Sequence, residues 1–461
     1  MKRNQANFQF AINMKIDLRK VAEQSIDLAR RKGADEADVI VLQSRSFSVS
    51  VREGDLENVE NNDQITLGLR VLVGKKQACV AGSDFRTSAI ADIAERAIAM
   101  ACVAPEDPFI GLAKPSQLGQ SNQTTELKLY SEEASPSPEE CTRLGQTIED
   151  AANGVEGVSK TDSSSAGYGE SRYCFLASNG FESESRKNFL SAGCSAIAGD
   201  GLEMETDYYG ETRIFQSDMS TPERIGRKAG QRAAAKLGSI KPSTMNTPIL
   251  FDRRVSATLI GHVLSAINGS AIVRGTSWLK DDLGEEILPT NLDLYEEPFR
   301  PKSLSSTLYD GEGIAKLERK FIEKGTLKSW VTDLATSRKL EMPTTGNATR
   351  GVSSPPSPGI TNIALTCGTK SPGELMKEID SGILITSLIG STINSNTGDY
   401  SRGASGFLIE NGEVTQPISE FTIAGNLRDM MKTLIPSNDP REFSSYKVPS
   451  LLIENMTVAG S

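Results

Sequence analysis

Histidine is almost missing from this chain: His262 is the single imidazole among 461 residues. One imidazole cannot pair with a second to hold zinc. A Ser-His hydrolase would have to use His262 as its base, and no G-x-S-x-G string accompanies a strand-to-helix turn. A lone helical histidine is ordinarily structural, while a Ser-Lys dyad stays open in a chain with many of both residues. Cysteine is sparse too. Cys79, Cys102, Cys141, Cys174, Cys194 and Cys367 form no close pair, so neither a disulfide framework nor a cysteine zinc cluster is suggested, and a reducing cytoplasm fits. Long apolar runs are lacking. The stretch 383–389 is interrupted by Thr386 and Ser387, well short of the roughly 20 residues that span a bilayer, so a soluble protein with no membrane partner is expected. Positive charge is in deficit, with 50 Lys+Arg against 60 Asp+Glu and a net charge of -10, which works against binding nucleic acid.

What is present is enough apolar residue, 38%, to build the cores of two or three domains. Residues 1–13 carry too few apolar side chains for a signal peptide and read as a disordered extension, with Met14 as an alternative start. Leu18, Val21, Ala22, Ser25 and Ala29 recur at helical spacing before Gly33, predicting a helix over 16–32. Phe47, Val49 and Val51, then Ile65, Leu67, Leu69, Val71 and Val73, alternate as half-buried antiparallel strands do. Glu53-Gly54-Asp55 and Asn61-Asn62-Asp63 are the turns expected between them. Ser83 and Asp84 offer caps to a second helix with Ile90, Ile93, Ala94 and Ala97 on its apolar face.

A connector over 105–125 separates this N-terminal part (14–104) from a central part (126–239) with the same order of helix, strands, helix. There Ser137-Pro138 opens a helix, Asn179-Gly180 and Asp200-Gly201 mark hairpins, and 221–237 looks helical. The repeated order suggests an internal duplication, although no residue-level repeat is visible. Residues 240–248, with Pro242 and Pro248, read as the main linker. Beyond it, over 249–461, short apolar runs broken by Gly, Asn, Asp and Pro predict a β-rich domain, all antiparallel or barrel-like, with few helices. The fold class is α+β.

The C-terminal part concentrates Gly, Asn, Asp and Thr in strings. One reading is turn and bulge chemistry. A second places Asp310, Glu312, Asn347, Asn394 and Asp399 along a groove where an extended peptide could add to a strand edge. A third gives Asp310, Glu312 and Asp399 to a hard cation.

Those strings also carry a resemblance. Tyr309-Asp310-Gly311-Glu312-Gly313, Thr345-Gly346-Asn347-Ala348-Thr349-Arg350, Asn396-Thr397-Gly398-Asp399-Tyr400-Ser401-Arg402-Gly403 and Ile423-Ala424-Gly425-Asn426-Leu427 resemble the TldD/PmbA family, also called modulators of DNA gyrase. The ending from Pro449 to Gly460 is similar to the PmbA/TldE branch, and Lys32 to Ala37 and Leu67 to Val71 fit as well. The resemblance implies a PmbA/TldE-type subunit that pairs with a TldD-type subunit to proteolyse unfolded peptides. In such pairs the TldD-type partner holds zinc in an HExxxH helix, two histidines ligating the metal and the glutamate acting as base on its water. Aligned without gaps through Arg274-Gly275-Thr276-Ser277, those motif positions fall here on Ile260, Gly261 and Ser265. No metal ligand, no base and no cofactor are therefore expected in this chain. A subunit that closes a chamber would expose a surface for its partner, so the isolated chain is expected to form a homodimer. The alternatives are a protein-binding regulator of DNA gyrase and an autonomous peptidase.

Overall fold

Asp17 starts the first helix, α1 (Leu18–Arg31), by accepting the Lys20 N–H at 3.1 Å, and Leu18, Val21, Ala22, Ile26 and Ala29 form its buried face. The computed structural model describes residues 16–119 and 126–461; the expected extension over 1–13, Met14 and part of the connector lie outside them. After α1 come β1 (Glu36–Arg52), β2 (Asp55–Val73), β3 (Lys76–Gly82) and α2 (Thr87–Val103). The order then repeats as α3 (Pro138–Asn153), β4 (Val158–Ala177), β5 (Glu182–Ala198), β6 (Glu205–Arg213) and α4 (Pro222–Ala234). The two cycles make one antiparallel sheet ordered β3-β2-β1-β4-β5-β6. Its seam is the β1–β4 pair, running from Asp38 opposite Ala177 to Val51 opposite Ser164.

Alternation sorts the two faces of this sheet. Val39 and Val41 pack with α1 and α2, and Phe47, Val49 and Val51 pack with Cys141 of α3. The other face carries Ile40, Leu72 and Phe175, covered by Ile110 and Leu112 and by Tyr309 and Val352 from the C-terminal half. Two sequence expectations fail here. Asn61, Asn62 and Asp63 do not turn the chain; they lie within β2 opposite Phe47, Ser46 and Arg45, because β1 supplies a continuous partner on that side. Ser83 and Asp84 do not cap α2, whose N-cap is Arg86; Asp84 instead accepts from the Arg86 backbone and guanidinium.

The C-terminal half continues with β7 (Met245–Phe251), α5 (Ala257–Ala266), α6 (Gly269–Val273), β8 (Leu294–Glu296), β9 (Arg319–Glu323), β10 (Thr326–Leu327) and α7 (Leu334–Lys339). Then follow β11 (Ala348–Thr349), β12 (Ser357–Pro358), β13 (Ile363–Leu365), α8 (Pro372–Ile379), β14 (Gly382–Ile393), β15 (Asp399–Glu410) and β16 (Glu413–Asn426). The last elements are α9 (Leu427–Lys432), β17 (Ile435–Pro436), β18 (Tyr446–Lys447) and β19 (Leu451–Ala459). Strands β16-β15-β14-β7-β19 close into a five-stranded barrel when β19 pairs back onto β16, Thr422 opposite Ala459. The barrel is not wholly antiparallel, since β7 and β14 run parallel, and short helices are scattered through the domain. The supposed linker also gives way to strand at Met245. Pro248 sits inside β7 where the β7–β19 register shifts between Ile453 and Met456, an irregularity of the kind at which a strand tolerates proline.

The two halves meet where the segment around Arg350–Val352 lies flush on β2. A Cβ on Gly68 would sit 2.0 Å from the Val352 carbonyl oxygen, so only glycine permits this approach. Gly68→Ala is expected to cost about 2 kcal/mol through forced separation of the halves. Urea unfolding of the variant reads that cost directly, and an unchanged midpoint would contradict the close approach.

Candidate functional site

Two places collect the polar strings. The first is the buried junction between the sheet and the C-terminal half. Asp38 of β1 and Arg70 of β2 face each other across the ladder and pair at 2.5 Å, and Arg350 reaches the other oxygen of Asp38 at 3.0 Å. Asp310 turns its own loop: Oδ1 accepts the N–H of Glu312 and of Ile314, each at 2.9 Å, while Oδ2 accepts the N–H of Ala348 at 3.1 Å. Glu312 accepts the Leu334 N–H at 2.8 Å, at the start of α7. Asn347 donates to both oxygens of Glu296, which also takes the Lys316 ammonium in a fully buried ion pair.

Burial sets the protonation here. It raises the Glu312 carboxyl well above the usual carboxylate range, and the negative charges of Asp310 and Asp333 push in the same direction. Asp310 is raised by burial as well, against the pull of its three backbone N–H donors. The structure thus brings Asp310, Glu312 and Asn347 together, but inside the protein, at 7%, 6% and 0% exposure. In this conformation their side chains brace the domain junction.

The second place is the barrel. Asn394 and Asp399 flank the exposed β14–β15 hairpin, away from the first group in contacts. Asn394 Oδ1 accepts the Asn396 N–H, and Asp399 accepts from Thr397 Oγ1 and from Asn426 Nδ2, which is turn chemistry joining two of the polar strings. Just beyond Asp399, the chain supplies what sequence reasoning missed. Tyr400 is buried against the edge of the His262 ring, their centroids 5.9 Å apart, and Arg402 lies close enough to act on that ring electrostatically. Burial, reinforced by the Arg402 charge, holds the His262 imidazole below its ordinary value, so it is neutral at pH 7. His262 Nε2 and Arg402 Nε are buried without a hydrogen-bond partner among the described residues. The clue was in the sequence: Tyr400 and Arg402 alternate on one strand, within the string quoted for the family.

His262 stands on α5, the helix that bears the three motif positions. Leu259, Ile260, Val263 and Leu264 face the barrel core, Ile260 with no exposure at all. Gly261 has no side chain, and Ser265 is exposed, its hydroxyl donating back to the Gly261 carbonyl at 2.9 Å. A hydrocarbon in the core, a bare backbone and a self-satisfied hydroxyl are not a zinc donor set. Among the described residues, no group of three or more His, Cys, Asp or Glu side chains could hold a metal ion.

The architecture is a two-cycle antiparallel sheet joined to a closed five-stranded barrel, with the helix α5 following the barrel strand β7. Residues 37–101, 131–237 and 244–460 match in turn the PmbA/TldA metallopeptidase domain 1, central domain and C-terminal domain. The chain belongs to the PmbA/TldD family. It is 33% identical over 449 residues to the metalloprotease PmbA of Escherichia coli O157:H7, covering 96% of this chain and 97% of that one. Among solved structures it is similar to a candidate modulator of DNA gyrase from Bacteroides thetaiotaomicron, with TM-score 0.89, 29% identity, and 96% and 99% of the two chains covered. TldE from Thermococcus kodakarensis shares the fold at TM-score 0.83 and 22% identity, over 95% of this chain and 100% of that one.

Because its folded pKa is raised, Glu312 favours the fold only while protonated. Its cost is absent below the unfolded carboxylate value near 4.5 and grows as pH climbs through the folded one. Glu312→Gln keeps an oxygen for the Leu334 N–H and removes that cost. Urea midpoints of variant and parent should coincide near pH 4.5 and diverge in the variant's favour toward pH 8; divergence in the other sense would mean the carboxylate is ionised and welcome.

Proposed function

We propose that this chain is the PmbA/TldE-type subunit of a two-subunit cytoplasmic metallopeptidase acting on unfolded peptides, shaping the substrate chamber while a TldD-type partner holds the zinc. The observation that carries the reading is the α5 helix, where Ile260 fills the core and neither Gly261 nor Ser265 offers a ligand or a base. Family membership supports the peptidase context, and the Escherichia coli PmbA relative matches over nearly the whole chain. The distal half of β2 supports a docking role. Among the described residues, 55–64 have β1 on one side only, since β3 pairs with β2 from Leu67 onward, and Leu56 and Val59 are about half exposed there. An uncovered strand edge with apolar side chains is suited to accept a partner strand.

Reconstitution tests this. The purified chain alone is expected to leave an unfolded polypeptide intact, and mixing with the TldD-type subunit should start chelator-sensitive cleavage. Zinc at one ion per chain together with autonomous cleavage would overturn the reading. Co-purification of gyrase in the absence of a TldD-type subunit would favour the regulator instead.

His262→Ala separates the subunit role from any chemistry done by this chain. Loss of a general base costs about 10²- to 10⁴-fold in rate, whereas truncating a partly buried histidine costs about 1 kcal/mol of stability. With the variant in excess over the TldD-type subunit, cleavage of an unfolded substrate should stay within about threefold of the parent, far from the loss expected of a base. A hundredfold loss with the complex intact would make His262 catalytic.

A further inference from the structure

An acidic protein has no evident need to gather cations in one concavity, yet this one does. A cavity of about 830 Å³ opens between α4, β6 and the loop 439–445. Some of the cations in its wall are paired: Arg213 with Glu211, Arg254 with Asp207, Lys302 with Asp218, and Arg253 at 3.9 Å from Asp439. Arg224, Lys228, Arg232 and Arg441 have no carboxylate within ion-pair distance among the described residues, although all four line the cavity. Burial lowers the pKa of Lys228, with Arg232, Arg253 and Arg224 adding repulsion, and Arg232 is lowered by burial and by Arg254. Like charges are therefore held close together, although Glu211 near Lys228 and Asp207 and Asp252 near Arg232 offset part of the repulsion.

Their arrangement is a ladder. Arg224, Lys228 and Arg232 stand four residues apart on α4, whose opposite face buries Ile225, Ala229 and Ala233. Such positions recur about every 6 Å along a helix. Alternate side chains on one face of an extended chain recur about every 6.6 Å, a near match over the two steps from Arg224 to Arg232. Tyr208 and Phe443, exposed by 70% and 49%, add apolar rings to the wall, and Arg213 packs over the Phe443 ring.

We propose that this cavity docks extended, acidic peptide segments, with Arg224, Lys228, Arg232 and Arg441 as the recognising cations. The inference rests on the peptide-processing reading and adds to it a preferred substrate class. Single exposed carboxylates would gain little, but several side by side would meet a row of cations in register, two of them, Lys228 and Arg232, partly buried.

Fluorescence anisotropy on the full chain tests the docking, using a labelled peptide that alternates Glu and Ser over about ten residues. It should bind, and weaken steeply between about 50 and 300 mM salt as the charges are screened. The triple variant Arg224→Ala, Lys228→Ala, Arg441→Ala should bind at least about tenfold more weakly. Arg232 is left in place because it also donates to the Tyr208 carbonyl. Should the triple variant unfold early, Arg224→Glu, on an exposed side chain, must still weaken binding. Equal binding of a Lys-Ser peptide, no effect of the substitutions, or tighter binding of inorganic tripolyphosphate would each overturn the proposal. Cleavage of a neutral unfolded substrate by the reconstituted pair reads the underlying function separately: if it persists while acidic binding fails, only the docking falls.

Discussion

The fold depends on one carboxylate. Asp38, on the central strand of the N-terminal sheet, is shared by Arg70 from the neighbouring strand and Arg350 from the C-terminal half, all of it away from water. Removing one member of such a set leaves a buried charge unopposed, a loss of about 3 to 5 kcal/mol. The arrangement therefore acts as a latch between two halves that could otherwise fold side by side. Gly68 lets the backbone around Val352 come close enough for Arg350 to reach, and Gly311 does the same for the loop that carries Asp310 and Glu312, where a Cβ would meet Arg350 at 2.7 Å. Negative charge is rationed around the latch: burial, reinforced by the charges of Asp310 and Asp333, keeps Glu312 easier to protonate.

Much of this was legible in the sequence, for identifiable reasons. Alternation over Phe47 to Val51 and Ile65 to Val73 located the long strands because one face of the sheet is packed by helices and the pattern has to follow. The Ser137-Pro138 start was legible since the hydroxyl and Glu140 cap each other. The Asn61-Asn62-Asp63 turn was not, because local preference for a turn yields to a long strand pairing that only the partner strand specifies. Pro248 misled in the same way: a proline reads as a break unless the bulge that accommodates it, some two hundred residues later in β19, is known.

The polar strings show a subtler limit. Asp310-Gly311-Glu312-Gly313 looks like a surface turn, and as backbone it is one; Asp310 binds the N–H groups of its own loop and Gly313 takes φ +82°. Sequence cannot say that this turn is buried, because burial is conferred by β2 and by Arg350, far away along the chain. Asn394 and Asp399 come from strings of the same composition and remain on the surface. Composition reported the conformation of each string and was silent on its depth.

The α5 helix carries the consequence for function. A helix that holds a catalytic metal must turn polar ligands toward the reacting centre, and buried polar groups cost stability unless they are coordinated. Here the residue aligned with the first motif position is Ile260, fully buried in the C-terminal core, worth about 2 to 5 kcal/mol relative to alanine at a site of this kind. The same position cannot serve both ends, since an imidazole placed there would open the core and an isoleucine cannot ligate. What polarity survives on the helix, His262 beside Tyr400 and Arg402, is kept neutral by burial and by a neighbouring positive charge, conditions opposite to those that would make an imidazole a strong base. The apolar face of α5 is used for packing into the barrel core, while the cation-lined concavity and the outer half of β2 face solvent.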